Sequence, residues 1–176
     1  MNSICPRGFQ VVQLVTLRTL VYINLVHVHT NCMGSPLHRT SQVSEAIDKA
    51  SAVATNKGPI LLCGDFNCDA NDPSLDVLRT TYQFLDSFLQ AGGAGSGATW
   101  ADDNRLTKGF MRNCPDLRCD LILCKLSDNV EIDFVRSNLA LQGNDVRQED
   151  PPSDHYGLIS TMQLVPHEAR SAGADE

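Results

Sequence analysis

Seven polar side chains stand at the ends of apolar runs or inside them: His27, His29, Asp65, Asn67, Asp120, Asp154 and His155. As a set they suit hydrolysis of a phosphoester. Carboxylate and amide oxygens hold a hard cation and a phosphate, a histidine takes a proton from water, and a further carboxylate orients that histidine. Asp65 and Asn67 follow the run Gly58-Pro59-Ile60-Leu61-Leu62-Cys63-Gly64. If the extended backbone persists through Gly64, they point to the same side and can share a ligand. Both residue types also favour turns by bonding their own backbone, so this stretch satisfies a turn as well as a site. His27 and His29 share one face of a period-two strand, away from Val26 and Val28, as two satisfied histidines at a strand end would too. Asp120 sits within Arg118-Cys119-Asp120-Leu121-Ile122-Leu123-Cys124, where a carboxylate needs solvent at an edge or a specific donor.

The elements that must position these residues follow from pattern. Phe9 to Leu17 and Thr19 to Val28 are rich in Val, Leu, Ile and Tyr, which predicts two adjacent buried strands turning near Arg18. Ser41 to Asn56 carries Val43, Ala46, Ile47, Ala50 and Val53 at helical spacing, with Thr40 or Ser41 as cap. Lys57-Gly58 ends that helix and the strand leading to Asp65 begins, giving β-β-α-β order. Asp72-Pro73 starts a second helix whose stripe runs through Leu75, Leu78, Tyr82, Leu85 and Leu89, with a break near Thr80-Thr81. A Gly-rich loop over 91–99 leads into a polar surface excursion from Trp100 to Pro115. Further strands are expected within Leu117 to Leu126, over Val130 to Val135, and over His155 to Leu164.

With 176 residues, 42% hydrophobic and 20% charged, the chain fits one ordinary globular domain over residues 1–166. Residues 167–176 read as a disordered tail. The formal net charge of −7 gives no electrostatic footprint for nucleic acid, which makes nucleic acid the less favoured partner. Seven cysteines without a C-x-x-C pair read as small buried hydrophobes in a reducing, cytoplasmic setting. Polar residues, Arg18 among them, interrupt the run from Phe9 to Val28, which argues against a membrane span, and no lipidation motif is present.

Gly64-Asp65-Phe66-Asn67 and Ser153-Asp154-His155 resemble two signature motifs of the endonuclease/exonuclease/phosphatase superfamily, whose fold is that of deoxyribonuclease I. Arg118-Cys119-Asp120-Leu121-Ile122 resembles its R-x-D-Y-[IV] strand, with Leu121 in place of the aromatic. Within the superfamily, the chain is most similar to neutral sphingomyelinases. Val26-His27-Val28-His29 matches their T-H-L-H strand apart from the leading Thr, and His38-Arg39-Thr40-Ser41-Gln42 matches their H-R-x-x-Q. Thr99-Trp100 and Asn104-Arg105-Leu106-Thr107 resemble a T-W…N-P-L-T loop. The resemblance runs from about Arg7 to Leu164. It implies an α/β fold, a partial four-layer α/β sandwich from which the N-terminal strands, with the family's early Asn and metal-binding Glu, are missing.

The resemblance also implies roles. Asp65 and Asn67 bind the phosphate and position the nucleophilic water, and together with Asp154 they hold Mg²⁺. His155 is the general base, Asp120 fixes its tautomer, and His27 donates to the phosphate oxygen that gains charge. His29 receives no role. The implied activity is Mg²⁺-dependent hydrolysis of sphingomyelin to ceramide and phosphocholine, on a phospholipid substrate at a membrane surface. The rival expectations are a non-catalytic fragment, a nuclease, or an inositol-phosphate phosphatase of the same superfamily.

Overall fold

The computed structural model describes residues 8–17, 20–54, 57–107, 115–142 and 152–166. Two strands, β1 (Gly8–Val15) and β2 (Tyr22–His29), precede helix α1 (Pro36–Val53) and strand β3 (Ile60–Asp65). One turn of 3₁₀ helix (Pro73–Leu75) leads into α2 (Asp76–Thr80), the two-residue strand β4 (Leu85–Asp86) and α3 (Ser87–Gln90). Strands β5 (Asp120–Lys125), β6 (Val130–Ala140) and β7 (Gly157–Pro166) complete the order. Five strands form one sheet in the order β1-β2-β3-β5-β4, and β6 pairs with β7 in a second, two-stranded sheet.

The main sheet has two unlike faces because its strands alternate. Val26 and Val28 of β2, Leu62 of β3, and Leu121 and Leu123 of β5 turn to one side and join Val43, Ala46, Ile47 and Ala50 of α1 in a single buried cluster. The opposite face carries His27, Cys63 and Ile122, none of them fully buried. Ile23 and Leu61 line a cavity of about 180 Å³ with Met162 and Leu164 of β7, so the second sheet lies across this face. Asn24, fully buried within β2, is satisfied by donating to the Gly58 carbonyl at 3.2 Å and accepting from Gln13 Nε2 at 3.2 Å.

Several expectations shift. α1 begins at Pro36, five residues before Ser41, because Ser35 Oγ accepts from the His38 N–H and Pro36 takes the first turn. Thr40 instead donates to the carbonyls of Pro36 and Ser74. β1 is not buried: it is an edge strand whose Val12 and Leu14 are each 46% exposed. The helix expected from Asp72 to Leu89 is broken after Thr80, as its Thr-Thr pair predicts. Beyond the break Leu85 lies in β4, while Leu89 faces solvent at 61% exposure. Gln83, with φ of 60°, makes the corner.

Of the surface excursion expected from Trp100 to Pro115, residues 108–114 lie outside the described ones, and the described part anchors to the body at several points. Trp100 pairs with Leu117 in a β-bridge, and Asn104 and Thr107 are buried. β6 runs on to Ala140, well beyond Val135, and His155 lies just before its strand rather than within it. Cys68, Cys119 and Cys124 are buried thiols outside any disulfide, Cys63 is half-buried, Cys32 is exposed rather than buried, and burial pushes the Cys124 thiol up to about 12. Cys5, Cys114 and the tail 167–176 lie outside the described residues. Among the described residues, no helix is long and apolar enough to cross a membrane.

Candidate active site

Strand register builds the site. β2 runs parallel to β3, and β5 antiparallel to it, so that His29 pairs with Asp65 and Asp65 with Asp120. Paired residues project to the same face of a sheet, which makes these three side chains one rung across three strands. His27, Cys63 and Ile122 form a second rung two residues back on the same face. The close approach of β2 and β3 here needs a glycine. Gly64 has φ of +136°, and a Cβ on it would lie 2.0 Å from the Val28 carbonyl oxygen.

Asp65 performs two local tasks. Its Oδ1 accepts the Asn67 N–H at 2.7 Å, closing a turn in which Asn67 takes φ of +50°. Its Oδ2 stands 3.3 Å from His29 Nε2. The extended backbone therefore ends at Asp65, and Asn67 reaches the site through a turn. The Asn67 amide donates from Nδ2 to the Thr30 carbonyl at 2.7 Å, leaving Oδ1 with no donor among the described residues. Thr30 in turn donates from Oγ1 to the Phe66 carbonyl, locking the end of β2 to the end of β3.

Asp120 and His155 meet across the chain: His155 Nδ1 lies 2.7 Å from Asp120 Oδ2, with side-chain exposures of 24% and 26%. The bond to Asp120 raises the His155 pKa above its ordinary value, against the opposing effect of burial, and the charges of Asp65 and Asp154 add to the rise. Burial pushes the Asp65 carboxyl up, and the neighbouring Asp120 charge adds to it, while the Asn67 N–H and the two histidines oppose. The ligand atoms of Asp65, Asp120 and His155 all lie within 4.8 Å of one another. Asp154 falls outside that set. It accepts from Ser153 Oγ at 3.3 Å on the bend that carries His155.

His27 is exposed and shares a cleft of about 260 Å³ with Asp120, Cys63 and Leu158. The His38-to-Gln42 segment serves the scaffold. Arg39, 8% exposed, binds the Gly34 carbonyl at 2.7 Å and pairs with Asp72 at 3.3 Å, and Gln42 Oε1 accepts the Asn31 N–H at 3.0 Å. Arg118 lies just ahead of Asp120 and bonds Asp86 at 2.7 Å, with both groups buried, while its guanidinium sits 5.2 Å from the Phe88 ring centroid. That pair joins the segment leading into β5 to the last residue of β4.

Three residues near the dyad had no assigned part in the sequence reading. His29 enters through strand register. Trp100 meets His155 edge-on, with ring centroids 5.0 Å apart and planes at 71°. Thr99 is fully buried behind Asp120. The Thr99-Trp100 pair was visible as a motif, but its polar, Gly-rich surroundings carried no periodicity to place it against the sheet.

No family model matches the sequence, and no curated protein matches it. Solved structures do. The D. rerio TDP2 in complex with a single-strand DNA product superposes with a TM-score of 0.70 at 17% identity, covering 89% of this chain and 62% of that one. The fold is that of the endonuclease/exonuclease/phosphatase proteins. A Bacteroides vulgatus endonuclease/exonuclease/phosphatase gives a TM-score of 0.68 at 18% identity, covering 92% of this chain and 57% of that one. The Bacteroides thetaiotaomicron mannosyl-6-phosphatase gives 0.67 at 19% identity, covering 94% and 59%. This chain thus spans less than two thirds of each of these endonuclease/exonuclease/phosphatase folds.

Proposed function

We propose that this chain is a phosphoester-hydrolysing domain that uses a divalent cation to direct water onto phosphorus, with sphingomyelin as its substrate and ceramide and phosphocholine as products. The observation that carries the reading is the His155–Asp120 pair at 2.7 Å beside the partly buried Asp65. With Nδ1–H donated to Asp120, the other ring nitrogen of His155 is the basic one and takes the proton from the attacking water. His27, open to the same cleft, donates to the phosphate oxygen that gains charge.

The residues present fit a hard cation. Asp65 carries a carboxyl whose ionisation is opposed by burial and by Asp120, and a cation relieves both. Asp65 and the open Oδ1 of Asn67, with Asp154 nearby on the His155 bend, would hold Mg²⁺ through oxygen. When bound, the ion neutralises phosphate charge and lowers the pKa of water. Asp120 is committed to His155.

Sphingomyelin rather than nucleic acid is supported by the resemblance of Val26-His27-Val28-His29 to the sphingomyelinase strand and by the net charge of −7. The purified chain should release phosphocholine from sphingomyelin vesicles in the presence of Mg²⁺, and His155→Ala should lower that rate by about 10²- to 10⁴-fold. Turnover of single-stranded DNA or mannose 6-phosphate instead would reassign the substrate. No turnover of any of the three across a range of Mg²⁺ concentrations would overturn the catalytic reading.

A further inference from the structure

We propose that Thr99 is the positioning residue for the Asp120–His155 pair, acting on both partners at once; the inference rests on the reading of that pair as base and orienter. Thr99 is fully buried and uses its polar groups on two separate segments. Its Oγ1 accepts the N–H of Cys119 at 3.1 Å and the N–H of Asp120 at 3.0 Å, at the point where β5 begins. Its carbonyl accepts the N–H of Tyr156 at 2.7 Å, one residue beyond His155. Its own N–H donates to the Leu117 carbonyl at 3.0 Å. Asp120 and His155 are 35 positions apart in sequence, and this one residue bonds the backbone at or beside each.

The consequence is geometric. A 2.7 Å hydrogen bond between two partly exposed side chains demands that their backbones be fixed relative to each other, since misplacement by about 1 Å can cost about 100-fold in rate. The Thr99 hydroxyl holds the Asp120 side through two successive backbone donors, and its carbonyl holds the His155 side. The flanking contacts reinforce this frame. Trp100 meets the His155 ring edge-on, and Asn104 Nδ2 donates to the Ser153 carbonyl at 3.0 Å on the far side of the bend. Valine has the shape of threonine but no acceptor. Serine keeps the acceptor and loses only the methyl group.

Imidazole ¹⁵N shifts of the full chain, which report the nitrogen that carries the proton, test this without needing turnover. Neutral His155 in the unsubstituted chain should be the Nδ1–H tautomer. Thr99→Val should move it toward Nε2–H and lower kcat by about 10- to 100-fold with KM nearly unchanged. Thr99→Ser should restore both. If Thr99→Val does not fold, Thr99→Cys, whose sulfur is a weak acceptor, replaces it in the same comparison with Thr99→Ser. A Thr99→Val chain that keeps the Nδ1–H tautomer and its kcat overturns the positioning role. A chain that turns over no substrate, yet loses the tautomer on Thr99→Val, supports the role while removing the proposed activity. An unsubstituted chain without the Nδ1–H tautomer removes the base-and-orienter reading and with it this inference.

Discussion

His29 Nε2 and Asp65 Oδ2 stand 3.3 Å apart in the same rung of the sheet that holds Asp120. The pairing gives His29 a place that its alternation with His27 did not reveal. Its side chain is 43% exposed, so the contact contributes less than about 1 kcal/mol to stability. His29→Ala should therefore leave the melting temperature nearly unchanged. His27→Ala should also spare stability, because His27 is exposed, but the donor role proposed for it predicts a loss of kcat of about 10²- to 10³-fold. A larger loss of kcat in His29→Ala than in His27→Ala would assign the donor role to His29 instead.

The Asp120–His155 pair links stability to pH with a definite sign. Its folded-state pKa on His155 is raised above the ordinary 6.5. Between that value and the raised one, the native chain holds a proton that the unfolded chain has lost. The stabilisation is then complete below pH 6.5 and disappears as pH rises through the folded value. Denaturant midpoints for the unsubstituted chain should fall across that interval, and Asp120→Asn should flatten the fall. With His155 as the proposed base, which must be deprotonated to act, turnover should show the opposite dependence and rise through the same interval. Midpoints that climb with pH there would contradict the assignment.

Arg118 and Asp86 are 7% and 8% exposed, and removing one partner strands the other charge in the interior. Asp86→Ala should cost about 3–5 kcal/mol, a large share of the roughly 5–15 kcal/mol that a domain commands. The double substitution Arg118→Met with Asp86→Leu should recover most of this, because replacing a buried pair by apolar groups is often neutral. Urea titrations of the three chains decide it. Additive losses in the double variant would show that the pair does not act as a unit.

What the sequence discloses here is local, and what it conceals comes from pairing. The run ending at Asp65 was legible because four apolar residues after Gly-Pro can hardly be anything but a buried strand. Asp120 was legible because a carboxylate in such a run demands a partner, and His155 stands 2.7 Å from it. α1 was mispositioned by five residues because Leu37 and His38 blur the apolar stripe, while the stronger signal was the Ser35-Pro36 cap. β1 looked buried from composition, but only its partner on the other side could have made it so, and it is an edge. His29 and Thr99 were out of reach for the same reason: strand register across β2, β3 and β5, and a bond from a loop to a distant strand, are set by tertiary pairing.

Gly64 is held in a backbone conformation that side chains rarely adopt, with the Val28 carbonyl 2.0 Å from where a Cβ would be. Gly64→Ala has no neighbouring side chain to displace, only backbone. It should push β2 from β3, with a cost of at least about 2 kcal/mol, and disturb His29 and Asp65 together. Loss of amide exchange protection in both strands, without loss in β6 and β7, is the expected pattern. Uniform protection equal to the unsubstituted chain would show that the strands can absorb the methyl group.

Asp65 sets stability against function. Burial and the Asp120 charge raise its pKa above 3.8, so in the metal-free chain its ionisation is a cost that sets in as pH rises through the raised value. Asp65→Asn removes that charge while keeping an Oδ1 to accept the Asn67 N–H, whose bond to Asp65 is 2.7 Å. The variant should melt higher than the unsubstituted chain at pH 7 without metal, and the difference should vanish in acid, where Asp65 is protonated in both states. Mg²⁺ should reverse the order. Binding to the folded state alone stabilises by RT ln(1 + [Mg²⁺]/Kd), about 2.7 kcal/mol at 100 times Kd, and Asp65→Asn forfeits this. The measurement is a pair of melting curves for each chain, with and without Mg²⁺. Equal Mg²⁺ stabilisation of both chains would place the cation elsewhere, and a metal-free Asp65→Asn chain that melts lower would mean that the Asp65–His29 pair outweighs the cost of burying the charge.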